Sequence, residues 1–495
     1  MSQYFEELRP FMDRAMAMMA AKTLFEWDEE TLAPEEAGKY TSKTVGVLSE
    51  EYQKAVTDAR AKELLMLCEK DDTLTDAERA IVREWREELS RLDAIPPQEY
   101  RAYAEVLAKA SRIWAKAKKE NDFASFAPVL KEIIGWQKKF ASYEAKEGQK
   151  LYDVMLNQYE KGFNMEQLDV FFDLVKREWI PLLKDVLKKQ KEEGITDDFL
   201  YGDFDEKKQE EIGRFLAEYV GFDFRKGVFA TSAHPFTTNL HNHDVRITTH
   251  YTDKLDSSLF SVIHETGHAI YEMGIADELT QTPAGQGASM AMHESQSRFF
   301  ENILGRNVAF WKPVYGKLQE TFPDVLGEVS VEQFVKAVCL VKPGLIRTEA
   351  DELTYCLHVL VRYELEKMLI EDDLDVMELP KLWKEKYKEY LGVEPETDSE
   401  GVLQDIHWAG GSFGYFPSYA LGSAFGAQMY EAMKKTMDVD TLLEEGKIGE
   451  IRDYLRKEIH RYGKMKTSQE ILKQMTGEEF NPKYYLQYLK EKYLG

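Results

Sequence analysis

Histidines with metal-binding spacing are the most informative feature of the sequence. Seven of the ten histidines lie between positions 234 and 293, and the stretch includes His264-Glu265-Thr266-Gly267-His268. On a helix, residues four apart share one face with Cβ atoms about 5–6 Å apart, so two imidazoles can bind one tetrahedral Zn²⁺. Glu265 lies about 100° further around such a helix, where its carboxylate reaches a water molecule at the open coordination position. The spacing predicts two metal ligands and a general base.

Chance is a weak explanation of this motif. A random chain of this length and composition would contain His-Glu-x-x-His roughly 0.04 times. The competing interpretation is a helix that carries two ordinary histidines, and the surrounding histidines favour the metal site. His241 and His243 form a second pair, but a loop pair without a nearby third ligand is a poor chelator.

A catalytic zinc site needs a third protein ligand and a free position for water. Glu294 follows His293 in a segment that resumes helical periodicity after a turn rich in Pro and Gly. A second helix that returns after this turn can bring the Glu294 carboxylate to the ion. Glu301 is the competing ligand, and an ordinary solvated acid is the other interpretation of Glu294.

Most of the sequence has apolar residues three and four positions apart between charged ones, the pattern of amphipathic helices. Helices are therefore the elements that must position these residues. The only convincing strand covers residues 244–251, where apolar and polar residues alternate just before the His264 helix. Asp256 or Ser257 is expected to cap that helix. No repeat with a period of 20 to 50 residues is present, which argues against a solenoid. The sequence predicts a mostly α-helical body with a small sheet.

Composition limits the partners and the compartment. The chain has 495 residues and a net charge of −25, a field that opposes nucleic acids and anionic membranes. Its three cysteines are too few for a disulfide framework. The start of the sequence is acidic, and no stretch approaches the ~20 apolar residues of a membrane span. We therefore expect a cytoplasmic protein without nucleic-acid or membrane partners.

Six short motifs follow one another along the chain. They are His234-Pro235-Phe236, Asp244-Val245-Arg246-Ile247-Thr248, His264-Glu265-Thr266-Gly267-His268, His293-Glu294-Ser295, Ile346-Arg347-x-x-Ala350-Asp351 and Gly401-x-x-Gln404-Asp405-x-His407-Trp408. In type and order they resemble the motifs of the thermostable carboxypeptidase Taq family of metallocarboxypeptidases, and Trp27-Asp28 extends the resemblance toward the amino terminus. His250 departs from the family's pattern, since Arg is expected there.

The resemblance implies a nearly all-helical fold with a deep central groove, similar to neurolysin and angiotensin-converting enzyme, and a homodimer. It also implies His264, His268 and Glu294 as metal ligands and Glu265 as the catalytic acid and base. We expect residues 1–495 to form one metallocarboxypeptidase domain. Its parts would be a helical upper part at about 1–200, a catalytic core at about 201–425 and carboxyl-terminal helices at about 426–495.

The predicted function is a metal-dependent carboxypeptidase of broad specificity that removes single amino acids from peptides. One Zn²⁺ per chain is the expected cofactor, with Co²⁺ or Mn²⁺ as alternatives. Two other functions compete with this prediction: a zinc oligopeptidase that cuts internal bonds, and an inactive helical scaffold that keeps a structural metal.

Further residues have candidate roles in this chemistry. His407 and Tyr419 are candidate donors to the oxyanion, with ordinary core packing as the alternative. Arg347 is the candidate for binding the terminal carboxylate, because a guanidinium binds a carboxylate through two parallel hydrogen bonds. Its alternative is an ion pair with Asp351. His234 would either line the substrate site or stabilise the turn before Pro235.

Three polar residues near these candidates have supporting roles in the prediction. Gln404 and Asp405 are candidates for orienting His407 or a metal-ligating imidazole. Arg246 is expected to be structural, holding Asp244 or the strand on which both lie.

Overall fold

The computed structural model describes residues 2–495, with the side chains at positions 35 and 39 left aside. The first half of the chain is helical up to a small sheet. Its elements are α1 Gln3–Thr31, α2 Gly38–Val56, α3 Ala59–Cys68, α4 Asp76–Ala94, α5 Pro97–Glu120, α6 Phe123–Glu144, α7 Leu151–Tyr159, α8 Met165–Glu193, α9 Glu206–Val220, β1 Gly227–Thr231, β2 Thr237–His241 and β3 Asp244–Thr249.

The second half of the described chain consists of helices and short helical turns. Its helices are α10 Leu255–Gly274, α11 Met290–Arg298, α12 Val308–Trp311, α13 Tyr315–Thr321, α14 Pro323–Leu326, α15 Val331–Val338, α16 Glu352–Glu371, α17 Leu379–Tyr390, α18 Pro417–Lys434, α19 Val439–Glu444, α20 Ile448–Glu458, α21 Ser468–Thr476 and α22 Lys483–Leu494. A π-helical segment, Phe299–Leu304, follows α11 directly. The prediction of a mostly helical chain with a small sheet is confirmed.

The chain divides into two compact units. The first unit contains the residues up to Asp93 together with Thr196–Val338 and Gly426–Phe480. The second unit contains Ala94–Ile195, Cys339–Phe425 and Asn481–Gly495.

The sheet of the first unit packs beside α10. β3 is the central strand, parallel to β1 and antiparallel to β2. Val245 and Ile247 alternate with polar residues along β3, as the sequence predicts, and both join the buried cluster that includes Val262 and Ala269 of α10. This apolar contact fixes the position of α10 against the sheet.

Helix α10 begins earlier than the sequence suggested. Lys254 is its N-cap residue and makes no capping hydrogen bond through its side chain. The prediction that Asp256 or Ser257 caps the helix is wrong, because both lie inside the first turn. A negative charge in this turn still stabilises the helix through its interaction with the helix dipole.

Close packing at Gly267 brings α10 against α11. A Cβ atom at Gly267 would lie 2.7 Å from Cα of Ser297. Only glycine allows this approach of the two backbones. The contact lies in the same part of α10 as His264 and His268 and in the same helix as Glu294.

A buried carboxylate organises part of the second unit. Glu366 on α16 accepts hydrogen bonds from the Trp408 indole N–H, the Gly414 backbone N–H and the Tyr152 hydroxyl, each at 2.8 Å. Burial raises the pKa of Glu366 to about 7 against the opposing effect of these donors. Its hydrogen bonds to Trp408 and Gly414 fix the segment between α17 and α18, and this segment includes His407.

Within residues 2–495, no helix combines the length and the apolar character that crossing a membrane requires.

Candidate metal centre and catalytic residues

Helices α10 and α11 bring together the three predicted metal ligands. His264 Nε2 and His268 Nε2 lie 3.8 and 3.5 Å from Oε2 of Glu294. Ligand atoms of the three residues all lie within 4.8 Å of one another. Two ligands at about 2.0–2.1 Å from a tetrahedral ion are about 3.4 Å apart, so the spacing fits a divalent metal ion such as Zn²⁺.

The pKa shifts of two of these groups favour the forms that bind a cation. Burial alone would raise the pKa of Glu294, but Arg298 and the two imidazoles hold it well below its usual value. Burial lowers the pKa of His268 to about 3. An ionised Glu294 and a neutral His268 are the ligand forms that a metal requires. For His264, the effect of burial is outweighed by Glu301 and Glu294, which raise its pKa.

Glu301 contacts the other side of the His264 ring. Its Oε2 lies 2.8 Å from His264 Nδ1, on the opposite edge of the ring from the atom that faces Glu294. The residue lies in the π-helical segment, and π-helical turns are frequent at functional sites. Glu301, the alternative ligand that the sequence left open, therefore has the geometry of a residue that orients the His264 ring.

Arg298 connects the two carboxylates around the centre. Its Nε donates to Glu294 Oε1 at 2.7 Å, and its Nη1 donates to Glu301 Oε2 at 3.1 Å. The guanidinium therefore occupies the outer oxygen of Glu294, while Oε2 faces the histidines and also accepts from the Ser297 hydroxyl at 3.2 Å. Arg298 was not singled out in the sequence, although its position four residues after Glu294 in one helix is a usable signal.

Glu265 is buried beside the ligands, and its carboxylate accepts a hydrogen bond from a neighbouring strand. The Thr237 hydroxyl, at the start of β2, lies 2.5 Å from Oε2 of Glu265. Burial raises the pKa of Glu265, and this hydrogen bond together with His264 opposes the rise. A general base works best when its pKa lies near the working pH, so a raised pKa suits this role.

His234 lies in the connection between β1 and β2, and its side chain is exposed. Its carbonyl oxygen accepts a hydrogen bond from the Ser232 hydroxyl at 2.6 Å. Arg246 donates twice to Asp244, at 2.8 Å for each bond, as expected for a structural pair on β3.

The remaining site candidates belong to the second unit, and Arg347 is the most buried of them. Only 5% of its surface is exposed. Its Nε and Nη2 donate to Oδ1 of Asp405 at 3.1 and 2.8 Å, and its Nη1 donates to the Tyr355 hydroxyl at 3.0 Å. Arg347 lies in a 3₁₀ turn before α16, while Asp351 caps that helix. The acid that pairs with Arg347 is therefore Asp405 rather than Asp351.

Asp405 and Gln404 together hold two buried arginines. Arg362 donates to Oδ2 of Asp405 at 2.7 Å and to Oε1 of Gln404 at 2.7 Å, and the Arg347 backbone N–H donates to the same amide oxygen. Burial opposes ionisation of Asp405, but the two guanidinium groups keep its pKa well below the usual value. His407 Nδ1 lies 3.9 Å from Asp405, beyond hydrogen-bonding distance. The two residues orient the arginines and not, as the sequence suggested, His407.

His407 and Tyr419 lie next to each other. His407 Nε2 is 3.3 Å from the Tyr419 hydroxyl, and its ring packs against Phe416 with centroids 4.5 Å apart. Burial and the nearby Arg347 lower the pKa of His407 to about 4, so its imidazole is neutral at pH 7. The Arg347 guanidinium lies 4.8 Å from the centroid of the Tyr419 ring.

Replacing Asp405 with Asn is expected to lower the free energy of unfolding by about 3–5 kcal/mol, because two buried guanidinium groups lose their shared anion. The pKa of Asp405 is lowered below 3.8 by folding, so its contribution is present above that pH and is lost as the pH falls further. Urea unfolding at pH 7 and below pH 3.8 measures both effects. Asp373→Asn is the control, since Asp373 is an exposed partner of Lys138 and its replacement should leave the free energy of unfolding nearly unchanged. Equal loss in both variants would contradict the prediction.

A largely buried His-His-Glu group, with Glu265 between the two histidines on α10 and a mainly helical scaffold, defines the class of the protein as a metallopeptidase. The sequence model of the carboxypeptidase Taq (M32) metallopeptidase family matches residues 7–493. The chain belongs to this family and is a metal-dependent carboxypeptidase.

Individual relatives agree with the family assignment. Carboxypeptidase 1 of Bacillus subtilis is 40% identical over 493 residues, which cover 99% of this chain and 98% of that protein. Thermostable carboxypeptidase 1 of Thermus thermophilus is 34% identical, with 99% and 98% covered. The solved structure of Trypanosoma cruzi metallocarboxypeptidase 1 superposes with a TM-score of 0.95 at 34% identity over the full length of both chains. The predicted family and carboxypeptidase activity are confirmed, and the oligopeptidase alternative is not favoured.

Proposed function

We propose that the chain removes single amino acids of many kinds from the free carboxyl terminus of peptides, with one Zn²⁺ held by His264, His268 and Glu294. The observation that carries the proposal is the convergence of the two Nε2 atoms on one oxygen of Glu294, at 3.8 and 3.5 Å. Co²⁺ or Mn²⁺ would suit the same ligands, since affinity alone does not select the native ion.

Glu265 is the proposed acid and base. A divalent ion held by His264, His268 and Glu294 would supply Lewis acidity to the attacking water and to the scissile carbonyl. Glu265 takes the proton from the attacking water and then gives it to the leaving amine. The hydrogen bond from Thr237 holds one carboxylate oxygen and leaves the other for this proton transfer.

The proposed roles of the other residues concern charge on the substrate. His407 and Tyr419 would donate to the oxyanion, where each well-placed donor is worth roughly 2.7–4 kcal/mol. Arg347 would bind the terminal carboxylate. Asp405 supports this role by fixing the guanidinium on one side, at 2.8 Å from Nη2. His234 is proposed to contact the substrate from its exposed position in the first unit.

Arg347→Ala is expected to lower kcat/KM about 10- to 100-fold on peptides with a free carboxyl terminus, the range for loss of a charged hydrogen bond. Any residual cleavage of carboxyl-amidated peptides by the wild type should be unchanged in the variant, because these peptides offer no charge to Arg347. Steady-state kinetics on the matched peptides measures the difference. Arg225→Ala is the control, since Arg225 is exposed and pairs with Asp223, two residues before it. Equal losses on both peptides would count against carboxylate recognition.

We also propose that the chain acts as one metallocarboxypeptidase domain, with parts at about 1–200, 201–425 and 426–495, and that it is a cytoplasmic homodimer. The low number of cysteines, three in the whole sequence, supports a reducing compartment. Light scattering of the purified protein tests the dimer, and a monomer at micromolar concentration would contradict it.

The decisive experiment for the function uses one peptide that is free at both ends, incubated with the enzyme in the presence and absence of a chelator. Mass spectrometry of the products should show stepwise shortening from the carboxyl end that the chelator stops and added Zn²⁺ restores. A peptide blocked by an amide at the carboxyl end is the matched control. Internal or amino-terminal cuts, or activity that survives complete metal removal, would refute the proposal.

A further inference from the structure

His268 has an outer hydrogen-bond partner that none of the roles above uses. Its Nδ1 lies 2.6 Å from Nδ1 of His293, the residue just before the proposed ligand Glu294. The other ring nitrogen of His293, Nε2, lies 2.6 Å from Oε1 of Glu272, one helical turn after His268 on α10. The three side chains therefore form a chain that ends on a carboxylate.

The metal site determines which ring nitrogens of His268 and His293 carry a hydrogen. Nε2 of His268 faces Glu294 and must be unprotonated to bind a cation. The ring hydrogen of His268 is then on Nδ1 and is donated to Nδ1 of His293. A neutral His293 that accepts at Nδ1 carries its own hydrogen on Nε2, where it donates to Glu272. One tautomer of each ring satisfies every contact.

Glu272, the last of these three hydrogen-bonded side chains, is held rigidly. Glu272 is buried, with 4% of its surface exposed. Its Oε1 also accepts from the Gly287 backbone N–H at 3.0 Å, and its Oε2 accepts from the Asn239 amide. A Cβ atom at Gly287 would lie 2.7 Å from Cδ2 of His293, so the backbone there closes against the imidazole. The ring of His293 has little freedom to turn.

We propose that His293 and Glu272 form a positioning dyad that fixes the tautomer and orientation of His268 and thereby sets the affinity of the centre for its metal ion. The inference rests on the metal site of the proposed function and extends it to residues outside the ligand set. His264 has the simpler form of the same support, a direct contact from Nδ1 to Glu301 at 2.8 Å. Outer partners of this kind typically change metal affinity by about 10- to 100-fold.

Three variants separate hydrogen bonding from packing. His293→Leu removes the acceptor for His268. His293→Asn keeps an oxygen close to the position of Nδ1, so it preserves that acceptor but loses the contact with Glu272. Glu272→Gln keeps an acceptor for His293 and removes only the charge. His243→Leu is the matched control, because His243 is a largely exposed histidine that pairs with Asp277.

The readout is the dissociation constant for Zn²⁺, measured by competition with a chromogenic chelator, together with the visible absorption spectrum of the Co²⁺-loaded protein. We expect His293→Leu to weaken Zn²⁺ binding about 10- to 100-fold and to shift the Co²⁺ bands. His293→Asn, which loses the contact with Glu272, and Glu272→Gln should each bind Zn²⁺ measurably more weakly than the wild type but more tightly than His293→Leu. The His243→Leu control should bind as the wild type does. Circular dichroism of each metal-free variant shows whether it is folded.

Wild-type affinity in a folded His293→Leu protein, or equal losses for the Leu and Asn variants, would overturn the dyad while leaving the metal site itself intact. If the Leu variant does not fold, the comparison of His293→Asn with the control decides, and wild-type affinity with an unshifted Co²⁺ spectrum in that variant overturns the proposal. A wild-type chain that binds no ion would instead refute the proposed function, which separates the two failures.

Discussion

Replacing Glu265 with Gln is expected to lower kcat by roughly 10²- to 10⁴-fold, the range over which general acid–base catalysis contributes. Gln has nearly the same shape and still offers an oxygen to the Thr237 hydroxyl, which lies 2.5 Å from the carboxylate in the wild type. It cannot take a proton from water or return one to the leaving amine. The loss should therefore fall on kcat, with KM close to the wild-type value.

The measurement is steady-state hydrolysis of a short peptide, with the metal content of each preparation determined in parallel. The variant should keep one ion per chain, since Glu265 is not among the three proposed ligands. Glu278→Gln, an exposed glutamate close in sequence, is the matched control and should hydrolyse the peptide at the wild-type rate. Activity near that of the control would show that another group moves the proton.

Glu294→Gln is expected to cause the second large loss, through the metal rather than the proton. The variant keeps the volume and the contact with Arg298 but removes the anionic ligand atom that lies 3.5 Å from His268 Nε2. Loss of a ligand should weaken metal binding by more than the roughly 10- to 100-fold typical of outer partners. Activity at limiting metal should fall in proportion.

Thermal unfolding with and without Zn²⁺ measures this effect without reference to catalysis. A metal ion present at 100 times its dissociation constant stabilises the wild type by about 2.7 kcal/mol, and the same concentration should barely shift the Tm of Glu294→Gln. The Glu278→Gln control should respond to the ion as the wild type does. A full Tm shift in Glu294→Gln would show that this carboxylate is not a ligand.

Local spacing made the core of the site predictable from the sequence. His264 and His268 are one helical turn apart, so their meeting on one face of α10 follows from helix geometry alone. The alternation in β3 predicted which side chains pack against that helix. Both patterns depend on residues within a few positions of each other, and such patterns survive folding with little alteration.

Contacts between distant parts of the chain were not predictable in this way. Arg347 pairs with Asp405, which is 58 positions away in the sequence. It does not pair with Asp351, four residues further on, because that side chain caps α16. Thr237 reaches Glu265 only because the sheet packs on α10. The π-helical turn that directs Glu301 at His264 has no signature in the hydrophobic periodicity. These arrangements depend on tertiary packing.

The most direct test of the central claim is anomalous X-ray diffraction from crystals of the Zn²⁺-loaded protein, recorded on both sides of the zinc absorption edge. One strong peak per chain should lie about 2.0–2.1 Å from the Nε2 atoms of His264 and His268 and at a similar distance from a carboxylate oxygen of Glu294. A peak elsewhere, or none at these three residues in a protein that hydrolyses peptides, would contradict the account.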